Sequence, residues 1–224
     1  MGFSRGPKIV TDGLVLALDA GSTKSYPGSG NTWSSLVGST NATLTNGPSF
    51  SNNSMVFDGV NDVSTYSTPH TDSLTTLTYE LVFKGSRGDS YSYILHNNGT
   101  STSTGNSWVT FGWHNDTDYV YGALSGRYSS MYDNTTTIDS TKYYHLTLTW
   151  DGSTQKFYIN GDLKTSQSLT SNAYTLDSTT SIGGNKNGGY RMSNVEVPFL
   201  RIHDRALSDT EVLQNYNSTK SRFI

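Results

Sequence analysis

Retaining hydrolysis of a glycosidic bond needs two carboxyl groups about 5 Å apart, facing one groove. The 224-residue chain has 15 Asp and only three Glu, and none of the three completes such a pair. Glu80 stands alone in Tyr79-Glu80-Leu81-Val82, Glu196 precedes Val197-Pro198, and Glu211 follows Ser208 by three residues at the start of an apolar stripe. The five His (His70, His96, His114, His145 and His203) lack metal-ligand spacing, and no nucleophile elbow or P-loop is present. Ile182 to Gly189 is Gly-rich without Gly-Lys-Ser/Thr, so it reads as a turn. With no Cys, thiolate chemistry, disulfides and thiolate metal sites are excluded together. No catalytic residue is expected, and the chain is expected not to be an enzyme.

Aromatic side chains are the remaining resource. Fifteen Tyr and four Trp are spread along the chain. Trp108, Phe111, Trp113, Tyr119, Tyr121, Tyr128 and Tyr132 crowd its middle third. Flat rings with polar tips suit sugar stacking or protein interfaces, while alternate positions of the strands near 107 to 113 and 119 to 124 must fill a core.

The elements that would position these groups are strands. Ser (33), Thr (31) and Asn (18) exceed a third of the chain, and such residues weaken helix interiors by competing for backbone hydrogen bonds. Short apolar or alternating runs recur about every ten residues, as in an antiparallel sandwich. Leu14 to Leu18, Ser54 to Phe57 and Leu77 to Lys84 are three of them. Tyr144, Leu146, Leu148 and Trp150 share one face of a fourth, which stops at Asp151-Gly152. Lys156 to Ile159 then stops at Asn160-Gly161, the strongest short hairpin signal, so two consecutive hairpins are read over residues 144 to 170. One helix is expected: Ser208 and Glu211 form a capping box ahead of Val212, Leu213 and Tyr216, and about two turns should end near Asn217. Asn97 to Asn106 reads as a loop.

Five segments, in order, resemble the laminin-G-like branch of the concanavalin A-like lectin/glucanase superfamily. They are Trp33-Ser34-Ser35-Leu36 with Ala42 to Pro48; Met55-Val56-Phe57-Asp58-Gly59-Val60-Asn61-Asp62-Val63; Tyr144 to Gly152 with Phe157 to Gly161; Ile182-Gly183-Gly184; and Arg201 to Ser208 with Glu211-Val212. The resemblance implies an all-β, two-sheet antiparallel jelly-roll sandwich over residues 12–217, with an N-terminal arm (1–11), a short C-terminal helix and a tail (218–224). It also implies a Ca2+ near the Phe57-Asp58-Gly59 turn, with Asp58 and Asp62 at the matching positions. An Asx turn alone would also explain Asp58, and the acidic residue usual before the Arg201-Ile202 strand is replaced here by Val197-Pro198-Phe199-Leu200. No other cofactor is expected.

A narrower similarity, to structural proteins of tailed bacteriophages, rests on Pro7 to Leu16, Leu18-Asp19-Ala20, Ser25 to Gly30, Gln214 to Asn217 and Arg222-Phe223. It implies a protein of the virion surface, on head or tail, that contacts other virion proteins and further copies of itself. Phe3, Arg5 and Lys8 of the arm, and Arg222 and Phe223 of the tail, would serve attachment. A lectin module for host-surface glycans is the alternative, and a glycoside hydrolase the third reading. A net charge of -3 gives no basic footprint for nucleic acid, and no apolar run is long enough for a membrane span or a signal peptide.

Overall fold

The computed structural model describes residues 8–69, 75–88, 91–98, 108–113, 118–124, 130–169, 176–186 and 191–223. Among them, strands form two antiparallel sheets of eight. The first sheet holds β1 (Leu14–Asp19), β4 (Ser49–Ser51), β5 (Ser54–Asp58), β7 (Leu77–Arg87), β12 (Tyr144–Trp150), β13 (Thr154–Ile159), β14 (Asp162–Ser168) and β16 (Ser193–His203). The second holds β2 (Thr32–Ser34), β3 (Asn41–Thr45), β6 (Val63–Ser67), β8 (Tyr93–Asn98), β9 (Trp108–Trp113), β10 (Val120–Leu124), β11 (Ser130–Tyr132) and β15 (Thr179–Ile182). Their orders are β14-β13-β12-β7-β16-β5-β4, with β1 also on β16, and β11-β10-β9-β8-β15-β6-β3-β2. This is the expected jelly-roll sandwich.

Period-two alternation builds the core between the sheets. Leu81 pairs with Leu146, Tyr79 with Leu148 and Leu77 with Trp150, all directed inward. From the opposite sheet, Trp113 meets Phe83 edge-on at 5.4 Å and Phe111 lies 6.2 Å from Phe157. β16 pairs with β7 along one side, and its other side is shared by β5 and β1. The handover falls at Pro198, inside a register shift. Proline has no N–H for a ladder, and its carbonyl accepts the Ala20 N–H at 2.8 Å instead.

Helix α1 (Asp209–Thr219) is capped as expected: the Ser208 side chain accepts from Glu211 N, and the Glu211 carboxylate accepts from Ser208 N. Arg205 adds hydrogen bonds of 2.6 and 3.0 Å to the same carboxylate, drawing its pKa down to about 2. The helix runs two residues beyond the expected Asn217 and continues into a 3-10 turn over Lys220–Arg222. Tertiary contact extends it, because Arg222 reaches both Asp19 oxygens at 2.7 and 2.8 Å and Phe223 packs on Tyr143 and Phe199. Two groups expected to face a partner are thus engaged within the chain. At the other end, Val10 N donates to Asn215 Oδ1 at 2.7 Å and Gln214 Nε2 to the Lys8 carbonyl at 2.7 Å. Val10 is buried with Tyr158, Leu207 and Val212, so the chain from Lys8 onward packs with the sandwich. Lys8 itself is exposed, and Phe3 and Arg5 lie outside the described residues.

Both hairpins form, joining β12 to β13 and β13 to β14. At the second turn Asn160 has φ 55° and Gly161 φ 82°, the positive pair of a type I′ turn. A Cβ on Gly161 would lie 3.1 Å from Leu213 and 3.2 Å from Tyr216, so the turn is pressed against α1. Gly161→Val should therefore destabilise the fold by about 3 kcal/mol, combining φ strain with crowding. An unchanged urea midpoint would refute this account of the turn.

Candidate functional site

Strand register brings together side chains that are far apart in sequence. On β9, Val109, Phe111 and Trp113 point to the core, so Thr110 and Gly112 face outward. Tyr93 of β8 and Tyr121 of β10 both pair with Gly112, and Tyr132 of β11 pairs with Tyr121. A row Tyr93, Gly112, Tyr121, Tyr132 therefore crosses four strands on the outward face of the second sheet. The Tyr121 and Tyr132 rings are 5.7 Å apart. Gly112 is required between Tyr93 and Tyr121: a Cβ there would meet the Ser92 carbonyl at 2.3 Å and the Tyr121 ring at 3.4 Å.

Arg191 closes one end of the row. Its guanidinium lies 5.4 Å from the Tyr91 ring and 5.2 Å from the Tyr93 ring, and it donates to the Tyr93 hydroxyl. His96 stacks on Tyr93 at 3.9 Å and shares a 2.9 Å hydrogen bond with Thr110 Oγ1. Burial, with the positive charges of Arg191 and Lys186, holds the His96 pKa at about 3, so the ring is neutral near pH 7. Burial also pushes the Tyr121 hydroxyl well above its ordinary value. Tyr91 and Tyr132 are 37% and 38% exposed, at the two margins of a face whose middle is buried. Aromatic faces flanked by a guanidinium can pack on the apolar side of a sugar ring and hydrogen-bond its hydroxyl or carboxylate groups.

The sequence-derived candidates divide accordingly. Tyr121 and Tyr132 share this face, and Tyr119 is half-buried just before β10. Trp113 is corrected: it is 1% exposed and belongs to the core, because its position on β9 has the same parity as Phe111. The side chains of Trp108 and Tyr128 lie outside the described residues. Tyr91, Tyr93, His96 and Arg191 were missed, since only strand pairing joins them. The Tyr91-Ser92-Tyr93 alternation was the one available signal.

The three glutamates are engaged elsewhere. Glu80 is fully buried on β7, taking hydrogen bonds of 2.8 and 3.0 Å from Asn215 Nδ2. Glu196 accepts from the Tyr143 hydroxyl at 2.6 Å and pairs with Lys84 at 2.7 Å. Glu211 is held by Arg205 and the helix cap.

At the turn after β5, Asp58 Oδ1 accepts from the N–H groups of Val60, Asn61 and Asp62 at 2.8, 3.3 and 3.5 Å, and Asp62 Oδ2 accepts from Asp58 N at 3.2 Å. These donors, led by Val60, lower the Asp58 pKa, whereas burial raises that of Asp62. Ca2+ takes roughly six to eight oxygen ligands. Among the described residues no three His, Cys, Asp or Glu side chains gather at one point. The two carboxylates accept hydrogen bonds from the N–H groups of their own turn.

This two-sheet sandwich defines a lectin-like fold. A family model described as the concanavalin A-like lectin/glucanases superfamily matches residues 57–213, and the chain belongs to that family. No curated protein sequence matches it. Among solved structures, Trypanosoma rangeli sialidase in complex with sialic acid is similar at a TM-score of 0.74 and 17% identity, over 97% of this chain and 35% of that one. The receptor-binding domain of botulinum neurotoxin D is similar at a TM-score of 0.69 and 17% identity, over 92% of this chain and 52% of that one. The chain thus spans about a third of the sialidase and half of the toxin domain. At such identity the likeness shows the fold alone. It nevertheless corrects the expectation that the chain is not an enzyme: chains with glycosidase names contain this sandwich, so the fold does not argue against enzymatic activity. No helix among the described residues is long and apolar enough to cross a membrane.

Two measurements test the roles of the turn carboxylates and the buried imidazoles. Asp58→Ala should cost about 1 kcal/mol through the lost turn hydrogen bonds, equally with Ca2+ and with EDTA; a melting drop of about ten degrees in EDTA would instead reveal a tightly held ion. The second is the pH profile. His96 and His145 both titrate at about 3 in the fold, against an ordinary value of 6.5, so the unfolded chain binds more protons between those limits. These two groups' contribution should be complete well above pH 6.5 and fall as the pH drops below it, by roughly 3 kcal/mol per unit at most. A flat urea-unfolding profile from pH 7 to 4.5 would contradict their burial as neutral rings.

Proposed function

We propose that the chain is a glycan-recognition module displayed on the surface of a tailed-bacteriophage virion, with host-surface glycans as its ligands. The exposed rings Tyr91 and Tyr132, at the margins of the row, carry the recognition part together with Arg191, and the buried Tyr93 and Tyr121 support them. Rings fixed on paired strands lose little entropy on binding, and a guanidinium beside them supplies oriented donors. Membership of a lectin-containing superfamily supports the reading. So do two of the similar structures, one a complex with sialic acid and the other a receptor-binding domain.

The virion context rests on the similarity of Pro7 to Leu16, Leu18-Asp19-Ala20, Ser25 to Gly30, Gln214 to Asn217 and Arg222-Phe223 to phage structural proteins. Residues 8–10 and α1 lie against the outward face of the first sheet, so attachment through the arm would leave Tyr91 and Tyr132 of the second sheet exposed. Other virion proteins and further copies of the chain are the partners in this reading. Ca2+ plays no required part in it.

Binding of the purified protein to host cells and to arrayed glycans tests the proposal, with Tyr91→Ala and Tyr132→Ala as probes because both rings are exposed. Each should reduce binding about tenfold or more at unchanged melting temperature, the usual scale for a stacked aromatic. Undiminished binding by the double variant would sink the recognition reading. A trace of the source particle without this chain on its surface would sink the virion reading.

A further inference from the structure

A second concave site lies on the other sheet, where α1 ends. Tyr143, His145, Asn160, Tyr216, Lys220 and Phe223 surround a cavity of about 40 Å3. One water needs roughly 10–15 Å3 of such space, so the cavity takes a group of about three heavy atoms. Its mouth is aromatic: Tyr143 and Phe223 are 5.2 Å apart, both partly exposed, and the Lys220 ammonium lies 5.3 Å from the Tyr216 ring. In its wall is His145, its side chain 2% exposed and both ring nitrogens without a hydrogen-bond partner. Buried nitrogens of this kind are rare and costly, and they mark a missing partner.

The chemistry of that partner can be narrowed. The two nitrogens of an imidazole point apart, so one amide can meet only one of them; with Glu80 Oε1 beside Nε2, Nδ1 is left as the acceptor for an amide N–H. A carboxylate would be disfavoured, because Glu80 Oε1 already lies 3.8 Å from His145 Nε2. Burial and Arg201 keep the imidazole uncharged at neutral pH, so it would not attract an anion. The stacked Tyr216 ring, 6.1 Å from His145, gives an apolar wall for a methyl group, and the Tyr143 and Phe223 rings at the mouth suit the flat side of a pyranose. We propose that this pocket binds the acetamido group of an N-acetylated amino sugar, with the amide on His145 and the sugar ring against Tyr143 and Phe223. It is separate from the Tyr93 to Tyr132 row and does not depend on it.

The test is a titration of the isotopically labelled full chain, followed by amide chemical shifts, with N-acetylglucosamine, glucose, acetate and an N-acetyl-lysine amide. N-acetylglucosamine should shift Tyr143, Tyr216, Lys220 and Phe223, and the other three should not. Phe223→Ala and His145→Leu should each weaken the response about tenfold, the factor that loss of one ordinary contact gives. The second variant fills the site with an apolar group of similar size, and the first changes a half-exposed ring, so a folding defect in one leaves the other to decide. An equal response to glucose, a stronger one to acetate or to the lysine amide, or none at all because the space holds only water, would overturn the proposal. Shifts confined to Tyr93, Tyr121 and Tyr132 would overturn it while leaving the glycan reading intact.

Discussion

Burial of the Glu80 carboxylate constrains everything around it. The side chain points outward from the middle of β7, flanked in register by Thr147 of β12 and Arg201 of β16, and it is 0% exposed. An isolated buried charge is too costly to keep, and removing one partner of a buried pair costs about 3–5 kcal/mol. Asn215 supplies both close donors from α1, and Arg201 stands 3.9 Å away. Burial raises the Glu80 pKa, while Arg201 and Asn215 pull it back down. The oxygen of Asn215 takes the Val10 N–H. One side chain thereby fastens both the helix and the segment before β1 to the sheet.

That arrangement divides the labour between the two sheets. With α1 on top, β12 is buried on both faces, and His145, Thr147 and Thr149 become interior residues at outward positions. The first sheet is largely committed to holding the molecule together, apart from the pocket where the helix ends. The outward row of tyrosines falls instead on the second sheet, across β8 to β11.

Local signals made much of this legible. Asn160-Gly161 named its hairpin because positive φ at both positions admits few residues, and Ser208 with Glu211 named the helix start because their hydrogen bonds are local. The end of the helix was not legible, since it depends on Arg222 meeting Asp19 across the whole chain. Trp113 was ambiguous for a related reason. On β9 both faces are buried, so burial no longer tracks the alternation, and only the partner strand shows which side is the core. His145 packs within β12, and its ring nitrogens find no hydrogen-bond partner there. The tyrosine row was invisible because Tyr93, Gly112, Tyr121 and Tyr132 come together only when four strands take their register.

Such a row can evolve without disturbing the fold. The sialidase and toxin chains keep the same sandwich at 17% identity, so the core tolerates wide replacement provided its volume and alternation are kept. Outward positions answer to other demands, and function must therefore be argued from them. Neighbouring strands lie about 4.8 Å apart, so three strand steps separate Tyr93 from Tyr132 by about 14 Å. A sheet holds that spacing more rigidly than a loop could, and Gly112 keeps the floor between Tyr93 and Tyr121 low. Replacing Gly112 would force a Cβ onto the Ser92 carbonyl, which sits beside Tyr93. The same glycine thus sets both the close strand pairing and the gap between the rings, so at this position the fold and the shape of the outward face cannot vary independently.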